Sequence, residues 1–331
     1  MPGSGVSVAL CTHNGAQFIG EQLASIFAQT HPADEVVVSD DASRDATVEL
    51  VREAFAAHPD PPRLTLIENP VALGVTRNFQ QAIEACSNEI VVLSDQDDVW
   101  SPKRIERTLA AFDDPDVVLV HSDARLIDGG GAVLGSSLFD AYRVDPAIRG
   151  EIASGRAFDQ FLRRNLVTGA TAAIRRRLAE VAAPFPAEWV HDEWLAVVAA
   201  SIGRIVPLDD QLIDYRQHGG NEIGAVELTL RGKLVRLVAP GRQRNERLLA
   251  RAIVLAERLP AITDDAAALE AARQKVEHER VRSALGPHRL TRIGAVLREW
   301  RTGRYRRFGG GLQDVARDLI QPLASSPKPP N

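Results

Sequence analysis

Five short apolar runs, each separated from the next by a helical pattern, constrain this chain more than any other feature. Val6-Ser7-Val8-Ala9-Leu10-Cys11-Thr12 lies between Gly5 and Asn14-Gly15 and reads as a short buried strand. The runs 35–39, 64–67, 90–93 and 117–120 repeat the signal. Between them, residues 16–29, 45–57, 76–86 and a segment opened by Pro102 place apolar side chains at helical spacing. Alternation of this kind, with strands apolar on both faces, predicts a doubly wound, mostly parallel sheet covered by helices on both sides. In such sheets ligands bind beyond the carboxyl ends of the strands. Here those ends carry Thr12-His13-Asn14, Asp40-Asp41 and Asp95-Gln96-Asp97-Asp98, so polar and acidic chemistry is expected along one edge.

The acidic clusters allow two readings each. Asp95 and Asp97 flank one residue at the mouth of a strand, a spacing that suits a hard divalent cation such as Mg²⁺ or Mn²⁺. Such an ion would bridge diphosphate oxygens and neutralise leaving-group charge. The same acids also complement the dipole of the helix opened by Pro102. Asp40-Asp41-Ala42-Ser43 is a turn-and-cap pattern, and equally a place where a carboxylate accepts hydrogen bonds from a base or a ribose. Gly74-Val75-Thr76-Arg77-Asn78 starts a helix whose free N–H groups, with Arg77, favour an anion. His191-Asp192-Glu193-Trp194 opens another helix. Asp192 suits its first turn, and it also suits a general base within reach of an acceptor hydroxyl. Trp189 and Trp194 are either core residues or walls for a sugar. Tyr215-Arg216-Gln217-His218-Gly219-Gly220-Asn221 closes this part of the chain, with His218 as a surface residue or a metal or phosphate contact.

From residue 121 to 220 the pattern loosens. Gly129-Gly130-Gly131 predicts a turn between antiparallel strands, residues 156–164 and 192–200 predict helices, and 166–174 and 212–215 predict strands. The charge changes sign near residue 224. Residues 1–220 carry 18 basic and 32 acidic side chains; residues 221–331 carry 21 and 12. An acidic first part is a poor surface for nucleic acid, whose phosphates need cationic contacts. The second part is rich in Ala, Leu, Arg and Glu and reads as helical. Two cysteines, Cys11 and Cys86, make no disulfide framework or metal spacing. No apolar run is long enough to span a membrane, and no basic-then-apolar leader opens the chain, so the expected location is the cytoplasm.

Taken in order, these segments resemble glycosyltransferase family 2. The matching pieces are Val6–Gly15, Asp40–Thr47, Gly74–Phe79, Leu93–Lys103, Thr168-Gly169-Ala170-Thr171, His191–Trp194 and Tyr215–Asn221. The last blocks look most like its rhamnosyltransferase-like branch, and the resemblance covers about residues 6–224. It implies a GT-A fold over 1–224, with a nucleotide-sugar half to about 125 and an acceptor half from about 126. An α-helical region over 225–324 and a disordered tail over 325–331 complete the expected organisation. It also implies inverting transfer of a sugar, rhamnose among the candidates, from a UDP- or dTDP-sugar to a glycan or lipid-linked acceptor in cell-surface polysaccharide synthesis. Carried over by position, Asp192 is the base. Thr12, Asn14, Asp41, Arg77 and Asp95 contact the nucleotide sugar, with Asp41 on the base moiety. Asp97, Asp95 and His218 hold the metal. His191, Glu193, Trp194 and Trp100 belong to the acceptor side. Many relatives carry an acid immediately before the base, where this chain has His191, so its acceptor surroundings differ.

Three other classes fit less well. A sugar nucleotidyltransferase needs a Gly-rich, cationic phosphate loop after the first strand, and Thr12-His13-Asn14-Gly15 lacks it. A dehydrogenase needs G-x-G-x-x-G there. A catalytically silent nucleotide-sugar-binding module would not need all the acidic positions. In the C-terminal part, Leu228, Leu230, Leu234, Val235, Leu237 and Val238 alternate with basic residues. Arg301, Arg304, Arg306 and Arg307 surround Trp300, Tyr305 and Phe308. These patterns predict either peripheral contact with anionic lipid at the inner face of the plasma membrane or packing on the acidic part or a second subunit of a homo-oligomer.

Overall fold

The computed structural model describes residues 5–218 and 242–322. These form two compact units, residues 5–157 with 166–218, and residues 158–165 with 242–322. The boundary expected near 224, the amphipathic stretch 228–238 and the tail 325–331 lie outside the described residues.

The first unit is built on one sheet. Strands β1 (Val6–Thr12), β2 (Glu35–Asp40), β3 (Arg63–Glu68) and β4 (Ile90–Ser94) are its parallel half, in the order β3-β2-β1-β4. Every residue of β1, β2 and β4 is buried, which explains why these strands are apolar on both faces rather than alternating. Helix α1 (Ile19–Phe27) sinks Ile19, Leu23 and Ile26, one face of the 3.6-residue repeat. Helices α2 (Thr47–Ala57) and α3 (Val75–Ala85) do the same with Val48, Val51 and Phe55, and with Phe79, Ala82 and Ile83.

Beyond β4 the sheet becomes mixed. Strand β5 (Val99–Trp100) leads into helix α4 (Arg104–Ala111), β6 (Val117–Asp128) and β7 (Val133–Ser137). Strand β8 (Ala172–Arg175) runs antiparallel to both β4 and β6, and β9 (Arg204–Gln217) runs parallel to β6 and antiparallel to β5. The mostly parallel sheet expected from the sequence therefore holds for its first half only. The turn at Gly129-Gly130-Gly131 joins β6 to β7, with Asp128 accepting the Gly130 and Ala132 amides at 2.9 Å each. Helices α5 (Leu138–Tyr142), α6 (Pro146–Ala153), α8 (Arg176–Ala182) and α9 (His191–Ile202) complete this unit.

Strand β9 is much longer than the four residues expected. Its first half contains Pro207 and Asp209-Asp210, which read as loop. The pairing skips from Ser122↔Leu208 to Asp123↔Gln211, so the two acids bulge out of the ladder. There Asp209 pairs with Arg149 at 2.7 Å and Asp210 with Arg107 at 3.0 Å. Pro207 sits where β5 does not reach, since β5 pairs only at Ile213 and Asp214, and a missing N–H is tolerated at such an edge.

The second unit combines α7 (Phe158–Arg163) with helices Arg242–Arg258, Ala266–Ser283, Arg289–Arg301, Arg304–Phe308 and Leu312–Ile320. Its interior is unusually ionic. Arg282, 1% exposed, pairs with Asp318 at 2.8 Å, and Tyr305 Oη donates to the same Asp318 at 2.8 Å. Lys275 Nζ lies 2.8 Å from Glu279 and donates to the Phe308 carbonyl at 2.9 Å. Buried Arg292 donates to four backbone carbonyls, those of Gly286, Pro287, Asp318 and Gln321. Such charges are tolerated inside because each finds opposite charge or carbonyl oxygen. Two expected interfacial aromatics, Tyr305 and Phe308, belong to this interior, at 0% and 1% exposure. Arg307 is held by Asp159 at 2.7 Å and Arg304 by Glu299 at 2.7 Å. The basic cluster over 301–308 is thus partly internal.

Candidate active site

The carboxyl ends of β1, β2 and β4 lie side by side, since Thr12 pairs with Asp40 and Leu10 with Ser94. The side chains that follow these strands knit the edge together. Asp40 is structural. It accepts the Thr12 hydroxyl at 2.7 Å, the Ser43 amide at 2.8 Å and the Ser43 hydroxyl at 2.5 Å, which closes the turn after β2. Thr12, expected on the nucleotide, is buried at 2% exposure with its hydroxyl committed to Asp40. Asn14 holds φ 48, the left-handed region that Asn tolerates. Its Oδ1 accepts the Arg44 amide at 2.8 Å, and its Nδ2 lies 2.9 Å from the His13 ring.

Asp41 is aimed differently. Its amide donates to the Thr12 carbonyl at 2.8 Å. Its two carboxylate oxygens accept the amides of Leu73 at 2.6 Å and Gly74 at 2.9 Å. Of the helix-start amides expected to attract an anion, that of Gly74 is therefore met by the chain's own carboxylate. Gly74 sits at φ 82, where a side chain would be strained. Arg77 is exposed on the first turn of α3.

Gln96, between the two acids of the third cluster, staples the edge: it accepts the His13 amide at 2.8 Å and donates to the His13 carbonyl at 3.0 Å. A Cβ at Gly15 would collide with it. Asp97 is 13% exposed at the side chain and lies 2.7 Å from His218 Nε2. Asp95 is half-buried, and its charge falls on Cys11, Arg104 and Tyr215. The Cys11 thiol is pushed up by burial first, then by Asp95 and Asp41, so it lies between the two acidic strand ends. Among the described residues no three His, Cys, Asp or Glu side chains gather to hold a metal ion. Of the expected set Asp95, Asp97 and His218, the structure brings Asp97 and His218 into direct contact.

Asp98 turns inward. One oxygen accepts the Arg216 amide at 3.0 Å and the other has no hydrogen-bond partner among the described residues. Burial, then the charges of Asp97 and Asp95, push its carboxyl well above the usual range. Two buried arginines support the loop. Arg104 stacks on Trp100 at 3.9 Å and donates to Leu93 O at 2.9 Å and Ala170 O at 2.6 Å; burial lowers it to about 9. Arg216 donates to Asp97 O at 2.7 Å, pairs with Glu21 at 2.6 Å, and lies over Phe18. Phe18 in turn meets the His218 ring at 4.9 Å. Gln96, Arg104 and Arg216 lie inside the segments singled out above or just beyond them, yet no spacing rule marks them, because their partners are mostly backbone atoms.

Asp192, 9% exposed, occupies the first turn of α9. It accepts the Gly169 amide at 3.1 Å and the Glu193 amide at 2.6 Å. A Cβ at Gly169 would sit 2.5 Å from His191 Nε2 and 3.4 Å from Asp192 Cβ, so only glycine permits this approach. His191 stacks on Phe79, centroids 3.8 Å apart, and burial lowers its imidazole to about 3. Glu193 is half-buried. Trp194 and Trp100, both expected on the acceptor side, are core residues at 0% and 3% exposure. Trp194 Nε1 donates to the Ala182 carbonyl at 2.8 Å, and Trp100 lies under Arg104.

These contacts close a ring. Asp41 holds the start of α3; Thr76 of α3 donates to the Trp189 carbonyl at 3.0 Å, and Phe79 stacks on His191. Asp192 holds Gly169, whose neighbour Ala170 shares Arg104 with Leu93 of β4. Gln96 leads back from β4 to His13. Asp41, Asp97 and Asp192, spread over 152 positions of sequence, stand on one rim at the carboxyl ends of the parallel strands.

Comparisons with known proteins agree with this arrangement. The sequence profile of Glycosyl transferase family 2 matches residues 7–180. An uncharacterized glycosyltransferase of Nostoc is 28% identical over 224 residues, 65% of this chain and 66% of that protein. A Mycobacterium bovis protein is 27% identical over 219 residues, 64% of this chain and 59% of that one. The chain therefore matches no more than about two thirds of these relatives' length. Two solved structures share the fold. The Pyrobaculum calidifontis mannosyltransferase in complex with GDP-Man and Mn²⁺ has a TM-score of 0.54 at 23% identity, covering 95% of this chain and 85% of that one. Staphylococcus aureus TarS 1-349 in complex with UDP-GlcNAc has a TM-score of 0.56 at 16% identity, covering 96% and 88%. The chain has the GT-A-type α/β fold, and it belongs to glycosyl transferase family 2.

Proposed function

We propose that this chain is an inverting glycosyltransferase. It moves a sugar from a UDP- or dTDP-sugar to a hydroxyl of a glycan or lipid-linked acceptor during cell-surface polysaccharide synthesis, and its closing motifs favour rhamnose as the sugar. The observation that carries this reading is the ring of contacts that brings Asp41, the Asp97–His218 pair and Asp192 to one rim. Family membership supports it, as do the nucleotide sugars named with the two structural neighbours. An Escherichia coli relative, a UDP-Glc:α-D-GlcNAc-diphosphoundecaprenol β-1,3-glucosyltransferase, is 23% identical over 128 residues, 39% of this chain and 49% of that one.

Asp41 reads the base in this scheme. Each of its oxygens accepts one backbone amide and keeps a lone pair for a base N–H. Asp97 and His218 offer a hard oxygen beside an imidazole nitrogen, a donor pair that fits Mn²⁺ better than Mg²⁺, which prefers oxygen alone. The ion bound there would neutralise charge on the departing nucleotide diphosphate. Asp192 is held by two amides at a helix N-terminus, where negative charge is favoured. Its carboxylate takes the acceptor hydroxyl proton as that oxygen forms its bond to the anomeric carbon, and the bond to the nucleotide diphosphate breaks on the opposite side. The configuration inverts in one displacement, and no enzyme nucleophile is involved.

Calorimetric titration of nucleotide sugars with and without Mn²⁺ tests the division of labour. Asp192→Asn is expected to bind donor with the wild-type constant and to transfer nothing. Asp97→Ala is expected to lose the Mn²⁺-dependent part of binding. Normal turnover by the Asp192 variant removes that residue from the base role.

A further inference from the structure

The helix Arg289–Arg301 has two unlike faces. One packs inward: Arg292, Val296 and Glu299 are buried, and Val296 joins Leu285 and Tyr305 in a small apolar cluster. The other carries Leu290, Ile293 and Leu297, which are 82%, 43% and 49% exposed. At 100° per residue these three fall within about 60° of one another, so they form a single stripe along the helix. An isolated exposed leucine needs no explanation; three large apolar side chains aligned on one outward face do.

The surroundings of the stripe are basic. Arg301 continues it one turn further on, and Arg298 lies beside it. Arg289 precedes it, and Arg306 lies 4.9 Å over the face of half-buried Trp300. All four arginines are exposed, and none of them forms an ion pair with an acidic side chain among the described residues. This distinguishes them from Arg304 and Arg307, whose charges are met by Glu299 and Asp159. An outward apolar stripe rimmed by uncompensated cations is complementary to one kind of surface, acyl chains beneath anionic headgroups.

We propose that this helix is a lipid-docking element. Leu290, Ile293 and Leu297 enter the headgroup boundary of an anionic membrane, and Arg289, Arg298, Arg301 and Arg306 lie against its phosphates. The inference does not rest on the proposed reaction. It also differs from the sequence expectation, in which Tyr305 and Phe308 would have met the lipid; those rings are interior, and the aligned stripe of exposed apolar side chains lies on the helix before them.

Co-sedimentation of the full chain with vesicles decides it. One set contains phosphatidylcholine alone; the other adds phosphatidylglycerol at about a third of the lipid. The wild type is expected to bind the anionic vesicles about tenfold more strongly, and binding is expected to weaken as salt rises from about 0.1 M to about 0.5 M. Leu290→Ser/Ile293→Ser/Leu297→Ser and Arg298→Ser/Arg301→Ser/Arg306→Ser are each expected to lower it about tenfold. Leu290→Ser alone, at the most exposed position, is expected to weaken it measurably should the triple variant fail to fold. Equal partitioning onto both vesicle types overturns the proposal, as does undiminished binding by the folded apolar variants. A dimer in sedimentation velocity that the apolar variants abolish assigns the stripe to a second copy of the chain and likewise overturns it.

Discussion

Asp97 and Asp98 are neighbours in sequence with opposite surroundings. Asp97 meets His218 at the rim. Asp98 faces the interior, holds the Arg216 amide, and is kept toward its neutral form by burial and by Asp97 and Asp95. A carboxyl whose folded pKa is raised contributes stability below its unfolded pKa and loses it as pH rises. Asp98→Asn preserves the acceptor and removes the ionisation, so it is expected to leave stability at pH 7 unchanged or raised, by about 1 kcal/mol at most, in chemical denaturation. Two histidines have the reverse sign. Burial lowers His121 and His191 to about 3, so each adds stability above the unfolded value near 6.5 that drains as pH falls toward 3. His121→Leu is expected to shrink the loss of stability between pH 7 and pH 5 by roughly 2 kcal/mol as an upper figure. Denaturation curves at the two pH values check this; an unchanged difference would show that His121 is not buried as a neutral ring.

Elements become informative where they meet. Gly169 opens the short turn before β8, and its missing side chain is what admits His191 and Asp192. Gly169→Ala is expected to cost about 1–3 kcal/mol from overpacking and to lower turnover more than donor affinity, which steady-state kinetics beside a donor titration separates. The parallel strands and their acidic ends were legible in the sequence because β1, β2 and β4 are buried on both faces and end at charged turns. Strand β9 was not, since Pro207 and Asp209-Asp210 are loop residues everywhere except at an edge and a bulge. The burial of Trp100 and Trp194 was hidden for a related reason: proximity in sequence to Asp97 and Asp192 says nothing about which way a helix or strand turns its rings. Arg104 escaped notice because its work is to satisfy two carbonyls from different elements, and no local pattern encodes that. Asp41 was visible as an acid at a strand end, but not as the partner of the Leu73 and Gly74 amides.

At the scale of the whole molecule, the charge asymmetry maps onto two different kinds of interior. The acidic part holds a hydrophobic sheet whose acids collect at one edge. The described residues of the basic part hold their helices together with buried ion pairs around Arg282 and turn the apolar stripe of the helix Arg289–Arg301 outward. The family match lies within the first part, over residues 7–180, and stops short of both Asp192 and His218. Their roles therefore stand on geometry and on the order of the motifs. The most direct trial is nucleotide diphosphate release by the full chain, measured over a panel of UDP- and dTDP-sugars with Mn²⁺, wild type against Asp192→Asn. Release by the wild type with at least one donor in the presence of an acceptor, together with its loss in the variant at unchanged donor affinity, is the expected result. Equal release by both proteins would contradict a rim on which distant carboxylates act on one sugar.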